Sequence, residues 1–286
     1  MLINRYVVFA TLVATSFASI GAQEFSREQE ISGFLVAVGA ASQKNNTNCF
    51  KQAFGDVDEE SVQTFVAPCD HAWPVANNCT VRVGRGLNGS TGVIFVAFRG
   101  SWTIQVIAEI IAGAIPEVMD GTSDVKASLY FLDAFESLWD SGTTDFQREF
   151  KALVANYPED RILITGHSLG AALSSPRVGN DKFSELVVKG TDRRQQFIHY
   201  RDLVPAFPGV QQGFWRMPGV KVYPQNDMGP AANSTYCPGS EDTACIVCEE
   251  EMWWDILCYN LTYHVNYYNM PDVATFGEQG CPYELH

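Results

Sequence analysis

The sequence predicts an α/β fold, a mostly parallel central sheet covered by helices on both faces and stapled by disulfides. Three observations predict it. Helical and strand patterns alternate along the chain, which is the mark of crossover units. The run Val93–Phe98 is apolar without interruption, as in a strand covered on both sides. A short strand, Arg161–Thr165, runs straight into a glycine-flanked turn and then into helix formers. With 286 residues, 46% of them apolar, the chain can bury one large core, and residues 23–286 read as a single domain.

The elements follow in order. Residues 1–22 carry one charge, Arg5, then apolar runs that end in the small residues Gly21-Ala22. This reads as a secretory signal cut after Ala22. Its apolar part is short of the ~20 residues a bilayer crossing requires, and nothing later replaces it, so no stable membrane anchor is expected. Phe25–Ser42 places Ile31, Phe34, Leu35 and Val38 on one helical stripe. A loop region with three cysteines comes next. Thr80–Arg85 and Val93–Arg99 then flank Leu87-Asn88-Gly89-Ser90 as a hairpin. Ser128–Trp139 and Asp145–Tyr157 are helical, the second with Phe146, Phe150, Leu153 and Val154 on one stripe and Pro158 closing it. Asp181–Lys189 leaves room for a helix long enough for a crossover, and Gln196–Tyr200 reads as a strand. No internal repeat or low-complexity linker interrupts this order.

All eight cysteines lie beyond the leader, and an even number behind an export signal implies disulfides of undetermined pairing. Cys237, Cys245, Cys248 and Cys258 can also be read as a zinc site, and Cys245 with Cys248 as a redox pair. Export, and the lack of a strand–CxxC–helix context, favour disulfides. Sequons at Asn45, Asn78, Asn88, Asn233 and Asn260 suit a glycosylating secretory route. The formal charge is −14, which disfavours nucleic acid and anionic membrane surfaces as partners.

The chemistry centres on Gly166-His167-Ser168-Leu169-Gly170, set between a strand and Ala171-Ala172-Leu173. Such a turn strains the serine backbone and exposes its hydroxyl at a helix start, and the glycines let strand and helix pack closely. The Leu169 N–H and the helix dipole can then stabilise a developing oxyanion. A serine nucleophile needs a base. Chain order in this architecture, serine then acid then histidine, sets aside His71 as too early and His167 as part of the turn. His199 precedes the best acid and His286 is the last residue, which leaves His264. Asp202, just past the Gln196–Tyr200 strand, leads as the acid, because sites in open α/β sheets collect at carboxyl ends; its plainer reading is a strand-ending turn. Asp181 and Asp192 come before that strand, and Asp227, Asp242 and Asp255 lie in loops without such anchoring. Ser101, after the Val93–Arg99 strand, is the second oxyanion candidate, with Gly100 allowing close approach and Arg99 beside it reading as a structural ion-pair residue.

Four segments together resemble the class 3 (fungal-type) lipases of the α/β-hydrolase superfamily: Val93–Ser101 (VIFVAFRGS), Gly166–Leu173 (GHSLGAAL), Pro176–Asn180 (PRVGN) and His199–Pro208 (HYRDLVPAFP). The resemblance covers roughly Thr80 to Asn269, and the segment from FRGSW to YFLDAFESLW is similar to the secreted, nematode-type branch. It implies an α/β-hydrolase fold, Ser168 as nucleophile with Asp202 and His264, Ser101 and Leu169 as oxyanion donors, and hydrolysis of ester bonds in lipids such as triacylglycerols. In that family the helix after GHSLG is long and leads through a further strand into PRVGN. Here Ser174-Ser175 joins PRVGN directly, so one helix–strand unit after the nucleophile is expected to be missing.

The readings that remain are a lipase or carboxylesterase, a feruloyl-type carbohydrate esterase, and a non-catalytic secreted glycoprotein on a truncated scaffold. The implied partner is a lipid or other ester, with transient contact at a lipid interface; no metal or cofactor is called for. Ile104–Ile115 reads equally as a lid or a buried helix, and Trp253-Trp254 as packing before lipid contact.

Overall fold

The computed structural model describes residues 24–42, 47–68, 78–100, 116–119, 122, 124–139, 144–174, 178–239, 243–245, 258–270 and 272–282. The proposed leader, Ser101, Ile104–Ile115 and Trp253-Trp254 lie outside them. In chain order the elements are helices α1 (Arg27–Ala41) and α2 (Asn48–Phe54), strands β1 (Asp56–Pro68), β2 (Asn78–Asn88), β3 (Thr91–Phe98), β4 (Pro116–Val118) and β5 (Lys126–Ser128), and helices α3 (Leu129–Trp139) and α4 (Phe146–Asn156). Strand β6 (Arg161–Gly166), helices α5 (Leu169–Ser174) and α6 (Asp181–Lys189), strands β7 (Gln196–His199), β8 (Val220–Tyr223) and β9 (Thr235–Cys237), and helices α7 (Thr262–Val265) and α8 (Val273–Glu278) follow, with short 3-10 turns at Val204–Ala206, Val210–Gln212 and Thr243–Cys245. The chain divides into two compact units, each drawn from separate stretches of sequence. The first comprises Met1–Phe25, Ile110–Leu129 and Ser175–Met270, the second Ser26–Glu109, Tyr130–Ser174 and Pro271–His286.

The second unit is built on a sheet of order β1-β2-β3-β6. β2 and β3 are joined through Gly89-Ser90 and pair in antiparallel register, with Asn88 opposite Thr91. β6 runs parallel to β3, with Phe98 opposite Gly166. Residues Ile94–Phe98 are fully buried, because helices cover both faces. Phe95 meets Phe50 of α2 at 4.6 Å and Phe54 at 5.6 Å. Phe98, three residues on and so on the other face, meets Phe135 of α3 and Phe146 of α4. α1 opens on a reciprocal cap between Ser26 and Gln29, and its expected stripe of Ile31, Phe34, Leu35 and Val38 is buried. Its C-terminal carbonyls accept from the buried Arg82 guanidinium, Gly39 O at 2.9 Å and Ser42 O at 2.8 Å. α8 packs beside it, and the disulfide Cys49–Cys281 joins α2 to the residues that follow α8.

The first unit carries a sheet of order β7-β8-β9 and the ribbon β4-β5. β7 and β8 are parallel, β8 and β9 antiparallel. Ile198, Val220, Val222 and the Cys237–Cys245 disulfide form its core. Asn180 caps α6 by accepting from Phe183 N and also accepts from Lys126 N, which ties α6 to β5.

Two expectations need correction. The sheets are mixed: among the described residues only β3–β6 and β7–β8 are parallel, against four antiparallel pairs. A two-residue connection such as Gly89-Ser90 can only join antiparallel strands. The cysteine-bearing loop region before Thr80 contains α2 and β1. β1 carries no clean strand pattern, because it begins with four acidic residues among five, shifts register between Asp58 and Gln63, and buries little beyond Val57, Phe65 and Ala67. The disulfide reading holds for every described cysteine, since Cys79 and Cys258 are also bonded; Cys69 and Cys248 lie outside the described residues.

Candidate active site

In the second unit β6 ends at Gly166 and α5 starts at Leu169, and Ser168 between them holds φ 59°. This left-handed conformation costs a residue with a Cβ about 1–2 kcal/mol. The neighbours enforce it. A Cβ on Gly166 would lie 2.2 Å from the Gly170 carbonyl, and one on Gly170 would lie 2.0 Å from Phe98 O. The end of β3 therefore touches the start of α5, and neither glycine tolerates a side chain. Ser168 is buried, and its Oγ makes no hydrogen bond among the described residues. A Cβ on Gly100 would lie 2.6 Å from His167 O, so the chain leading to Ser101 runs against the turn; Ser101 itself lies outside the described residues. Leu169 opens α5, where a first-turn N–H has no acceptor within the helix. Arg99 forms no ion pair with a described carboxylate and instead donates to Asn78 O at 3.0 Å.

In the first unit Asp202 follows β7 and is 1% exposed. Its Oδ1 accepts from Val204 N at 2.9 Å, so the turn role is real, but the carboxylate does more. His264 Nδ1 lies 3.1 Å from Oδ1 and 3.0 Å from Oδ2, and the Tyr267 hydroxyl donates to Oδ2 at 2.7 Å. Burial pushes the Asp202 carboxyl up. The charge and hydrogen bond of His264, with the bonds from Tyr267 and Val204, outweigh it and hold the group below its ordinary range. Burial first, then the Asp202 charge, pushes the Tyr267 phenol well above its usual range. α7 presents His264, and the turn before it is fixed by Asn260, whose N–H donates to Arg201 O and whose Oδ1 accepts from Thr262 N. The histidine is thereby tied to the residue next to Asp202. A carboxylate on Nδ1 fixes the tautomer in which Nε2 is the basic nitrogen.

The other candidates are otherwise engaged. His199 is buried, with Nδ1 2.9 Å from Tyr263 O and Nε2 3.1 Å from Asn226 O. His167 meets Phe34 edge-on. Asp227 accepts from Gly229 N and Asn269 Nδ2, while Asp181 opens α6. His71, Asp242, Asp255 and His286 lie outside the described residues. Tyr267 lies just past α7, which ends at Val265, and its place in a tyrosine-rich stretch gives no sequence signal for its bond to Asp202. Among the described residues no group of three or more His, Cys, Asp or Glu side chains is arranged to hold a metal, and no helix is long and apolar enough to cross a membrane.

Residues 95–175, which span the end of β3, the nucleophile turn and α5, match the model of the family lipase (class 3). The secreted mono- and diacylglycerol lipase A of Penicillium cyclopium is 28% identical over 149 residues, 44% of this chain and 46% of that lipase. The match thus spans about half the length of that relative. Among solved structures, a fungal lipase in complex with an inhibitor superposes with a TM-score of 0.61 at 20% identity, over 87% of this chain and 98% of the other. A triacylglycerol lipase whose catalytic centre is a serine protease triad superposes with a TM-score of 0.57 at 19% identity, over 88% and 99%. These likenesses establish an α/β-hydrolase-like fold.

Proposed function

We propose that the chain is a secreted serine hydrolase that cleaves carboxylic ester bonds of lipids, as a triacylglycerol lipase or carboxylesterase. The observation that carries this reading is the backbone of Ser168, held at φ 59° between glycines that admit no side chain. Strain that the surrounding packing enforces at a buried serine points to a reactive group. In the proposed reaction Ser168 Oγ attacks the ester carbonyl while His264 takes its proton, with Asp202 holding the imidazole. Ser101 and Leu169 stabilise the oxyanion, and the alcohol leaves with the proton from His264. Water then adds to the acyl-serine by the same route and releases the acid. The Asp202–His264 pair and the match to lipase (class 3) support it. The secreted lipase of Penicillium and the triad of the superposed lipase support export and mechanism by likeness.

Within the same proposal residues 1–22 are a cleaved signal, 23–286 a lipase-like domain of the nematode-type branch, and the partner is a lipid or other ester at a transient interface. A second reading rests on α5, which has six residues. If the helix–strand unit after the nucleophile is missing, the chain is a non-catalytic glycoprotein on the same scaffold. A fluorophosphonate probe decides between them. Labelling of the mature chain that disappears in Ser168→Ala is the expected result. A folded protein that never labels overturns the catalytic reading. Turnover of p-nitrophenyl esters of rising chain length, beside a feruloyl ester, then separates lipid from carbohydrate esters.

A further inference from the structure

Of the four sequons within the described residues, two stand open along their whole length. Asn88, Gly89 and Ser90 are all exposed, at the tip of the β2–β3 hairpin, and a Cβ built on Gly89 would meet nothing within 4 Å. Asn233, Ser234 and Thr235 are likewise exposed, at the entry to β9. Asn78 is different. Its own side chain is exposed, but Cys79 and Thr80 are 2% and 6% exposed, Cys79 is in a disulfide, and β2 is paired on one side with β1 and on the other with β3. Asn260 has its carboxamide in the turn before α7, and Asn45 lies outside the described residues.

We propose that Asn88 and Asn233 carry N-linked oligosaccharides and that Asn78 does not. The inference rests on the export reading above. The chemistry is transfer from a dolichyl diphosphate-linked oligosaccharide: the asparagine Nδ2 bonds to C1 of the first sugar, the C1–O bond to the diphosphate breaks, and Nδ2 gives up one proton to solvent. The hydroxyl two residues on must be presented to the transferase together with the amide. At Asn88 and Asn233 it stays presented in the folded chain, so transfer does not depend on timing. At Asn78 transfer must outrun both the burial of Thr80 in the sheet and the oxidation of Cys79.

The position of Asn88 also separates the oligosaccharide from the candidate chemistry within the second unit. β3 leads from Thr91, opposite Asn88, to Phe98, opposite Gly166. Seven strand steps put the hairpin tip roughly 23 Å from the nucleophile turn. A bulky substituent there leaves the Ser168 end of β3 uncovered.

The full chain is secreted from a eukaryotic host, reduced and digested, then deglycosylated with a peptide N-glycosidase in heavy-oxygen water and read by mass spectrometry. Labelled aspartate at positions 88 and 233, with unmodified Asn78, is the expected result. Asn88→Gln should lose one oligosaccharide and keep fluorophosphonate labelling unchanged. Secreted protein that lacks modification at position 88 or 233, or carries it at 78, overturns the inference and leaves export standing. A chain that stays in the cytosol and bears no sugar overturns both.

Discussion

Tyr267 matters because of where its hydroxyl points. Its 2.7 Å bond to Asp202 Oδ2 is one of the three hydrogen-bond donors that keep a buried carboxylate ionised beside His264. Tyr267→Phe removes a bond to a charged group and should cost about 1.5–3 kcal/mol of stability; under the proposed hydrolase reading, ester hydrolysis should fall by about tenfold, a loss equal to about 1.4 kcal/mol, and thermal melts and kcat/KM on a p-nitrophenyl ester check the two. The pH dependence has a defined sign. Asp202 titrates below its ordinary value when folded, so its contribution is complete above the unfolded value of about 3.9 and is lost as pH falls through the lower, folded one. In Tyr267→Phe the folded value rises toward the ordinary one, and acid unfolding followed by circular dichroism should begin at a higher pH than in the parent. At this scale the sequence was informative wherever a residue sat in a constrained context. Ser168 stands between two glycines after a strand, and the contact between Asp202 and His264 follows the pairing that chain order suggested. Tyr267 sits in the tyrosine-rich run Tyr263–Tyr268 and reads as packing until its partner is known.

Among the elements, β6, the nucleophile turn and α5 depend on two absent side chains. Gly166→Ala places a methyl 2.2 Å from the Gly170 carbonyl, where only backbone can yield, and should destabilise by about 3 kcal/mol or more. Gly33→Ala is the contrasting case: nothing lies within 4 Å of its Cβ inside α1, and better helix propensity should stabilise by about 0.5–1 kcal/mol. Paired thermal melts test both signs. Elements with strong periodicity or clear punctuation were legible before folding. The helices α1, α3, α4 and α6 fall within a residue or two of the expected bounds, and the hairpin tip falls inside the expected turn. β1 was not legible, because a strand that buries a few apolar residues and begins with Asp56, Asp58, Glu59 and Glu60 has no clean alternation. Strand direction was legible only where a connection is too short to cross over; elsewhere a pattern of apolar residues carries no sign of parallel or antiparallel pairing.

For the molecule as a whole, the division into two discontinuous units has no signal in composition, since each unit is stitched from distant stretches of a chain with no linker-like segment. The long-range staple can be tested directly. Cys49 and Cys281 are 232 positions apart, and cross-linking a loop of that size removes enough freedom from the unfolded chain to contribute about 5 kcal/mol. Cys49→Ala with Cys281→Ala should lower the denaturation midpoint accordingly, measured by denaturant titration of the non-reduced protein.

The location of α8 also bears on how the protein is made. Glu278 accepts from Ser42, and a Cβ on Gly277 would lie 3.0 Å from Val38 O, so α8 completes a surface that α1 presents. A ribosome releases α1 more than two hundred residues before it releases α8. Throughout that interval the apolar stripe of α1 waits for part of its cover while the nascent chain is still emerging. A chain stalled before α8 leaves that part of α1 uncovered, and transiently exposed apolar surface of this kind is what makes chaperones necessary.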